Sequence, residues 1–331
     1  MDRSNIMVDF SPGYFGKLPI YPDFIRHNAT SREVSQLDQW FQEGIHFAKS
    51  RLGQGWADDF RKAESYNFLF QQEGSEYYLL GIYTPSRDQS GRLYPFFIFL
   101  RISKRSFDLP LYFAPVCFSP FLAGSYEIIQ GGWEGTDLKS IVSRLEQMSA
   151  PLLKDFNPIK EGYLRYLKEQ NILSLWRNIF NDFEHAGKYL ITHNLTNILQ
   201  PLRNHSLNRF GLGLKFPLSS RDQAETYDIP FWFDLVIRLL RQDKVSPVLF
   251  WNRRGSGNAP SMIAFLNQPS PKNFLLLIRP DMNSDLWYDL VPRDPAEIDR
   301  VLPKIDKGQK DLLDNGDISA GAFLAALEAG G

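Results

Sequence analysis

Three runs of sequence decide the fold: Ser65-Tyr-Asn-Phe-Leu-Phe-Gln71, Tyr77-Tyr-Leu-Leu-Gly-Ile-Tyr-Thr84 and Leu93-Tyr-Pro-Phe-Phe-Ile-Phe-Leu-Arg-Ile102. Each run is rich in aromatic and β-branched residues, the types that are enriched in strands. Gly74 lies in the short connection between the first two runs, so they are predicted to form an antiparallel hairpin. The loop from Pro85 to Arg92 joins the second run to the third. Together they predict a mixed or antiparallel sheet.

Helical patterns precede and follow these strands. Thr30 and Glu33 have the spacing of a capping box, and apolar residues recur at helical spacing from Val34 to Leu52. A second amphipathic helix is predicted near Leu138, and the pattern remains helical from about Pro151 to Asn204. This middle segment is expected to be a helical layer inserted into or appended to the sheet.

Strand and helix patterns alternate in the last third of the chain. Strand character returns at 208–216, 245–251 and 261–266. A helix is predicted over 230–240 with Asp228 as its cap, and two further helix starts are predicted at Ser270-Pro271 and Asp294-Pro295. A polar connection follows from Lys304, and a short Ala-rich helix after Ser319 is expected to be loosely docked.

These patterns predict an α/β protein: a layered α/β/α sandwich with a mixed, partly antiparallel sheet and the helical segment described above. Four regions are expected: an N-terminal α/β region (1–140), the helical middle segment (141–204), a C-terminal α/β region that completes the same fold (205–303), and a tail with a short helix (304–331).

Composition excludes several classes of protein. The 331 residues include 37 basic and 38 acidic side chains, so the net charge of -1 argues against a polycation that coats nucleic acid. Cys117 is the single cysteine, which excludes an internal disulfide and favours the cytoplasm. The apolar runs are too short or interrupted to span a bilayer, so no membrane insertion is predicted.

The residues that usually carry catalysis give no clear pattern. Gly211-Leu-Gly213 lacks the third glycine of a dinucleotide fingerprint, and the five histidines do not have the spacing of a metal site. Cys117 is expected to be a small buried hydrophobe, and Asp58-Asp59 a solvated turn, because adjacent side chains point in different directions. Arg253-Arg254-Gly255-Ser-Gly257 could receive an anion or be a hairpin loop with exposed arginines. No metal and no cofactor are therefore predicted.

Two stretches are more specific: Gly13-Tyr-Phe-Gly-Lys-Leu-Pro-Ile-Tyr-Pro-Asp-Phe24, which leads to Leu37-Asp-Gln-Trp-Phe-Gln-Glu-Gly44, and Gly81-Ile-Tyr-Thr-Pro-Ser-Arg-Asp-Gln-Ser-Gly-Arg-Leu-Tyr-Pro-Phe96. Together they resemble the TagF/ImpM family of type VI secretion system-associated proteins, most strongly over residues 13–100. Pro22 departs from the family pattern, which usually has glycine there. The N-terminal α/β region is therefore expected to be TagF-like.

The resemblance implies a cytoplasmic, non-enzymatic regulator. Such a protein is expected to repress a type VI secretion system post-translationally by binding its forkhead-associated scaffold protein, with other cytoplasmic secretion components as further candidate partners. The alternative is a small-molecule hydrolase or transferase whose site is assembled only in the tertiary structure.

Seven residues of these stretches are candidates for partner binding or for fixing the loop. In the loop from Pro85 to Pro95, either Asp88 pairs with an arginine to hold the loop, or the charged residues face a partner. Trp40 is either a core residue or a surface anchor. The candidates are Lys17, Asp23, Trp40, Ser86, Arg87, Asp88 and Arg92.

Overall fold

The computed structural model describes most of the chain. The described residues are 10–133, 135–148, 155–203, 205–207, 210–221, 226–242, 245–254, 259–282, 285–292 and 294–330.

One mixed sheet joins the strands of the described residues. The strands are β1 (Phe10–Lys17), β2 (Phe24–His27), β3 (Tyr66–Phe70), β4 (Tyr77–Thr84), β5 (Phe96–Ser103), β6 (Gly213–Pro217), β7 (Val248–Asn252), β8 (Ser261–Phe265) and β9 (Trp287–Asp289). Their order is β2-β1-β5-β4-β3-β7-β8-β6-β9, and every pair is antiparallel except β6 with β9. The predicted hairpin of β3 and β4 is confirmed. The pairing of β3 with β7 makes the N-terminal and C-terminal strands parts of a single sheet.

Helices lie before, between and after these strands along the chain. They are α1 (Arg32–Leu52), α2 (Trp56–Lys62), α3 (Ala114–Cys117), α4 (Ser119–Gln130), α5 (Leu138–Glu146), α6 (Asn157–Glu169), α7 (Ile172–Phe180), α8 (Gly187–Leu199), α9 (Asp228–Leu240), α10 (Leu275–Ile278), α11 (Pro295–Val301), α12 (Lys307–Asp314) and α13 (Ala320–Gly330). The helical character predicted for the middle segment is confirmed by α6, α7 and α8.

The two faces of the sheet are covered by separate apolar layers. On one face, α1 and the turn Pro271–Phe274 that leads into α10 pack on alternate residues of the strands, with Phe41 and Phe274 fully buried. On the other face, helices that include α4, α7, α9 and α13 form a larger layer around Trp176 and Trp232. The predicted α/β/α sandwich is therefore confirmed.

The first helix begins one residue later than its capping pattern predicts. Ser31, not Thr30, is the N-cap, and its hydroxyl accepts a hydrogen bond from Val34 N. Its apolar stripe is buried as predicted, since Val34, Leu37 and Phe41 are at most 1% exposed. This helix is the element that covers the sheet next to the two family-like stretches.

Several boundaries near the C-terminal half differ from the predictions. The β6 strand begins at Gly213, and positions 208 and 209 of the predicted strand lie outside the described residues. Asp228 is inside α9 and does not cap it, because its carboxylate instead forms a buried ion pair with Arg253.

The C-terminal tail is not loosely docked, which corrects the expectation from sequence. Phe323 and Leu324 of α13 are fully buried, and α13 contacts α6 and α9. The polar segment before it also contains α12, whose Leu313 is buried. The apolar face of α13 thus packs against its neighbours through its large side chains, Phe323, Leu324 and Leu327.

Candidate functional site

Two segments distant in sequence meet where β1 ends and β5 begins. They are the end of β1 with the connection to β2 (residues 17–24) and the loop between β4 and β5 (residues 85–95); we refer to them together as the loop platform. Gly16 pairs with Phe96 and has a φ of +132°. A Cβ at Gly16 would overlap the carbonyl oxygen of Pro95 and lie 2.7 Å from the Cα of Phe96. Only glycine permits this approach.

Asp88 is the centre of the loop platform. It is 1% exposed, and its Oδ2 accepts hydrogen bonds from Lys17 Nζ (2.9 Å) and Arg92 Nε (2.6 Å). Its Oδ1 accepts from Ser90 N (3.0 Å), Ser90 Oγ (2.7 Å) and Arg92 N (2.9 Å). Such a set of charge-assisted bonds is the arrangement that a buried carboxylate needs.

These contacts fix the charge of Asp88. Burial by itself would raise the pKa of the carboxyl, but hydrogen bonds from Ser90, Lys17 and Arg92 outweigh it and hold the pKa well below its ordinary value. Asp88 is therefore ionised at neutral pH. Since two cations share this one carboxylate, the network carries a net positive charge.

Four further hydrogen bonds join the two segments of the platform. They run from Arg92 Nη2 to the carbonyl oxygen of Pro22 (2.8 Å), from Gln89 N to that of Tyr21 (2.9 Å), from Ser86 Oγ to that of Lys17 (2.7 Å), and from Lys17 N to that of Pro95 (3.4 Å). The segments are thus one surface, not two independent loops.

A tyrosine that sequence reasoning did not single out ties this surface to α1. The buried hydroxyl of Tyr94 hydrogen-bonds the carboxylate of Asp38. Burial and the nearby charge of Asp38 raise the pKa of Tyr94, so the hydroxyl stays protonated. Tyr94 and Asp38 both lie inside the family-like stretches, and that position is the sequence signal that could have identified them. Nothing in their spacing showed that they are in contact.

The outer side of the loop platform combines aromatic rings with guanidinium groups. Tyr21 is 37% and Phe24 is 36% exposed, and the Arg92 side chain is 62% exposed although its Nε binds Asp88. Arg87 is exposed on the same loop, where it forms a β-bridge with Leu93. Tyrosine and arginine are the residue types that most often dominate binding at protein interfaces.

The remaining two candidates differ in position. Asp23 is exposed at the start of β2, and its Oδ1 accepts a hydrogen bond from Phe24 N (2.8 Å). Trp40 is only 5% exposed, and its indole Nε1 donates to the carbonyl oxygens of Pro269 (3.2 Å) and Ser270 (3.1 Å). The structure therefore places Trp40 in the core and not with the other six candidates.

The structure gives Asp58, Asp59 and Cys117, which were considered for catalysis, different surroundings. Asp58 binds Arg61 (2.8 Å) and Asp59 binds Arg279 (3.2 Å), both from α2, so the expected solvated turn is a helix. Cys117 is buried, as predicted, and burial raises the pKa of its thiol to about 12.

Metal and anion chemistry were also considered from sequence. Within the described ranges, no three His, Cys, Asp or Glu side chains are grouped so that they could hold a metal ion. Arg253 is not the exposed loop residue that was expected, because it is buried against Asp228; residues 255–257 of that loop lie outside the described residues.

Comparison with known proteins identifies one part of the chain. Residues 13–130 match the family model of the TagF N-terminal domain, described as type VI secretion system-associated. Over these residues the chain therefore matches a TagF N-terminal domain. The resemblance inferred from the two stretches is confirmed over these residues, which include the whole loop platform.

A solved structure shares the fold. The crystal structure of PA0076 from Pseudomonas aeruginosa PAO1 at 2.05 Å resolution aligns with a TM-score of 0.51 and 13% identity, over 86% of this chain and 100% of that chain. At this identity the likeness concerns the fold alone. No protein with a curated description matches the sequence. Among the described residues, no helix is both long and apolar enough to cross a bilayer.

Proposed function

We propose that this protein is a cytoplasmic, non-enzymatic regulator of a type VI secretion system, which represses secretion post-translationally by binding the forkhead-associated scaffold protein. The observation that carries the proposal is the TagF N-terminal domain over residues 13–130. Repression and the scaffold as partner come from the family resemblance of the two stretches quoted above.

The loop platform supports a binding role. Its exposed rings, Tyr21 and Phe24, are rigid and provide apolar contact area at a low cost in side-chain entropy. The hydrogen bonds of Asp88 hold the loop in one conformation, so little further order has to be imposed on binding. A preorganised aromatic surface of this kind suits a stable protein partner.

Charge indicates which partner surface would fit. Lys17 and Arg92 share the single negative charge of Asp88, and Arg87 adds another positive charge on the exposed side of the loop. Asp23 partly offsets this excess. The surface is therefore weakly basic with an apolar centre, and it favours a partner with an apolar patch and an acidic rim.

A secretion assay tests the proposal. Overproduction of the protein should silence secretion of the tube protein, and the Tyr21→Ala, Arg87→Ala double variant should restore it. The matched control is Tyr288→Ala, Arg105→Ala, because Tyr288 is 39% exposed on the edge strand β9 and Arg105 is an exposed arginine after β5. This control should silence secretion as well as the natural sequence does.

Two results would contradict the proposal. Undiminished secretion during overproduction of the natural sequence would remove the repressor role. A saturable hydrolytic activity that one substitution abolishes would instead support the small-molecule hydrolase or transferase.

A further inference from the structure

The strand β2 forms one edge of the sheet, next to the loop platform. It stands first in the strand order, and β1 is the one described strand that pairs with it. Edge strands present backbone N–H and C=O groups with which a further strand can pair. Within the described ranges, no strand occupies the far side of β2.

The hydrogen bonds of Lys17 show which residues of β2 point outward. Lys17 N donates to the carbonyl oxygen of Pro95 (3.4 Å), and the carbonyl oxygen of Lys17 accepts from Ser86 Oγ (2.7 Å). Both backbone groups of Lys17 therefore point to the β4–β5 loop and away from β2. Lys17 is the register partner of Phe24. In an antiparallel pair, opposed residues point their backbone groups either toward each other or apart, so those of Phe24 face the open edge.

The alternation of the antiparallel ladder gives Arg26 the same orientation. Its N–H and C=O point outward like those of Phe24, whereas the backbone groups of Ile25 and His27 point to β1. The N–H of Phe24 already donates to Asp23 Oδ1 (2.8 Å). An incoming strand would therefore meet the carbonyl group of Phe24 and both backbone groups of Arg26.

The side chains of this edge indicate what the incoming strand carries. Phe24 and Arg26 are exposed and lie on the same face of the sheet, since they are two positions apart. The ring of Phe24 stacks on that of Phe15 at 5.3 Å between centroids, so it continues the aromatic layer to the edge. The other face is occupied, because Ile25 is buried in the layer that contains α5. An apolar residue opposite Phe24 would extend the aromatic layer.

Charge determines the residue opposite Arg26. The exposed guanidinium of Arg26 has a second cation near it, since Lys17 Nζ lies 5.0 Å from the ring centroid of Phe24. A third, Arg92, binds the carbonyl oxygen of Pro22 just before the strand (2.8 Å). Opposite charges on paired strands stabilise the pair and like charges destabilise it. The edge therefore favours an acidic residue.

We propose that β2 pairs with an extended segment of the protein partner, which adds a further strand to the sheet. The segment runs antiparallel to β2, as β1 does. It carries an acidic residue opposite Arg26 and, two positions later, an apolar residue opposite Phe24. Backbone hydrogen bonds supply affinity, and the two side chains select the partner. This inference rests on the proposed function, because β2 adjoins the loop platform.

A peptide probe tests the edge without the scaffold. The isotope-labelled full chain is titrated with acetylated and amidated Thr-Glu-Thr-Phe-Thr, and with Thr-Lys-Thr-Phe-Thr as the matched control. We expect the first peptide to shift the Arg26 amide resonance saturably and to slow its hydrogen exchange, and the second to bind about fivefold more weakly. No saturable shift at millimolar concentration, or equal affinity for the two peptides, would overturn the proposal.

A charge exchange separates strand pairing from a structural role of Arg26. Arg26→Glu should reverse the preference, so that the lysine peptide binds more tightly than the glutamate peptide. Arg105→Glu, at an exposed arginine after the far end of β5, is the matched control and should leave the preference as it is. An unchanged preference in Arg26→Glu would refute the position assigned to the acidic residue.

The purified scaffold tests the backbone contact. Arg26→Ala removes the charge and keeps the N–H, and Arg26→Pro removes both. Because this N–H points away from β1, both variants should nearly keep the natural melting temperature. Affinity for the scaffold should fall from the natural sequence to Arg26→Ala, and about fivefold further to Arg26→Pro. If Arg26→Pro does not fold, the charge exchange with the peptides decides.

The outcomes separate this inference from the proposed function. Equal affinity of the natural sequence and both Arg26 variants for the scaffold would overturn the strand pairing and leave scaffold binding intact. Selective binding of the glutamate peptide without binding of the scaffold would support the strand pairing and refute the proposed partner.

Discussion

The stability of the loop platform depends on the charge of the buried Asp88 carboxylate. Its side chain is fully buried, the side chain of Lys17 is 8% exposed, and the Nζ–Oδ2 distance is 2.9 Å. Asp88→Asn keeps the shape but removes the charge, which leaves the Lys17 ammonium buried without a counter-charge. Breaking a buried pair from one side costs about 3–5 kcal/mol. The bond to Arg92 adds little because that side chain is 62% exposed. We expect a loss of about 3 kcal/mol.

Urea denaturation followed by tryptophan fluorescence measures this loss. Lys17→Met alone should cost less, because Asp88 keeps its bonds from Ser90 and Arg92. The double variant should be more stable than the sum of the single effects predicts, by about 1–3 kcal/mol, since the two groups are in direct contact.

A matched carboxylate-to-amide change serves as the control. Glu76 pairs with Arg105 at 3.0 Å, but their side chains are 63% and 84% exposed. Glu76→Gln should therefore change stability by less than about 0.5 kcal/mol. A cost for Asp88→Asn no greater than that of this control, or simple additivity of the Asp88 and Lys17 changes, would show that Asp88 and Lys17 do not form a stabilising buried pair.

Three other predictions concern the same domain. The lowered pKa of Asp88 contributes stability that is present above its unfolded-state pKa of about 4 and is lost as pH falls through the folded-state pKa. The difference in urea midpoint between the natural sequence and Asp88→Asn, measured at pH 7, 5, 4 and 3, should therefore shrink in acid; a difference that stays constant would contradict this. Phe41→Ala should cost about 3–5 kcal/mol in the same assay, because this fully buried ring packs between α1 and the sheet, and an unchanged midpoint would show that the face is wrongly assigned. Gly16→Ala should prevent stable folding or lower the melting temperature strongly, whereas Gly55→Ala, with open space around it and an ordinary φ, should leave it nearly unchanged; equal effects would argue against the close contact of Gly16 with Pro95.

Residue type and apolar spacing within a short run of sequence were sufficient to predict β4 and α1. The run from Tyr77 to Thr84 matches β4 residue for residue, and the apolar spacing after Val34 identified the buried face of α1. Period and residue type are sufficient there, because each element buries one continuous apolar face. Boundaries set by tertiary contacts were not predictable. Asp228 has the pattern of a cap, but Arg253, 25 residues later, takes its carboxylate into a buried pair.

In the candidate site, too, the sequence identified some of the residues but not the tertiary contacts between them. The family-like stretches identified Asp88 and Arg92, and the spacing left open whether they fix the loop or face a partner. Lys17 reaches Asp88 from 71 residues away, a contact that only the pairing of β1 with β5 creates. The exposure of Tyr21 and Phe24 likewise depends on β2 lying at the edge of the sheet. Trp40, a candidate anchor in the sequence, is core because α1 turns it toward Phe250.

The most direct test of the central claim is a calorimetric titration of the purified protein with the purified forkhead-associated scaffold. We predict saturation at about one to one, retained at moderate salt because the platform depends on apolar contact as well as charge. Tyr21→Ala, Arg87→Ala should weaken the affinity at least tenfold, and Tyr288→Ala, Arg105→Ala should leave it unchanged. No saturable binding by the natural sequence, or equal affinity for both double variants, would contradict the assignment of the loop platform as the partner-binding surface.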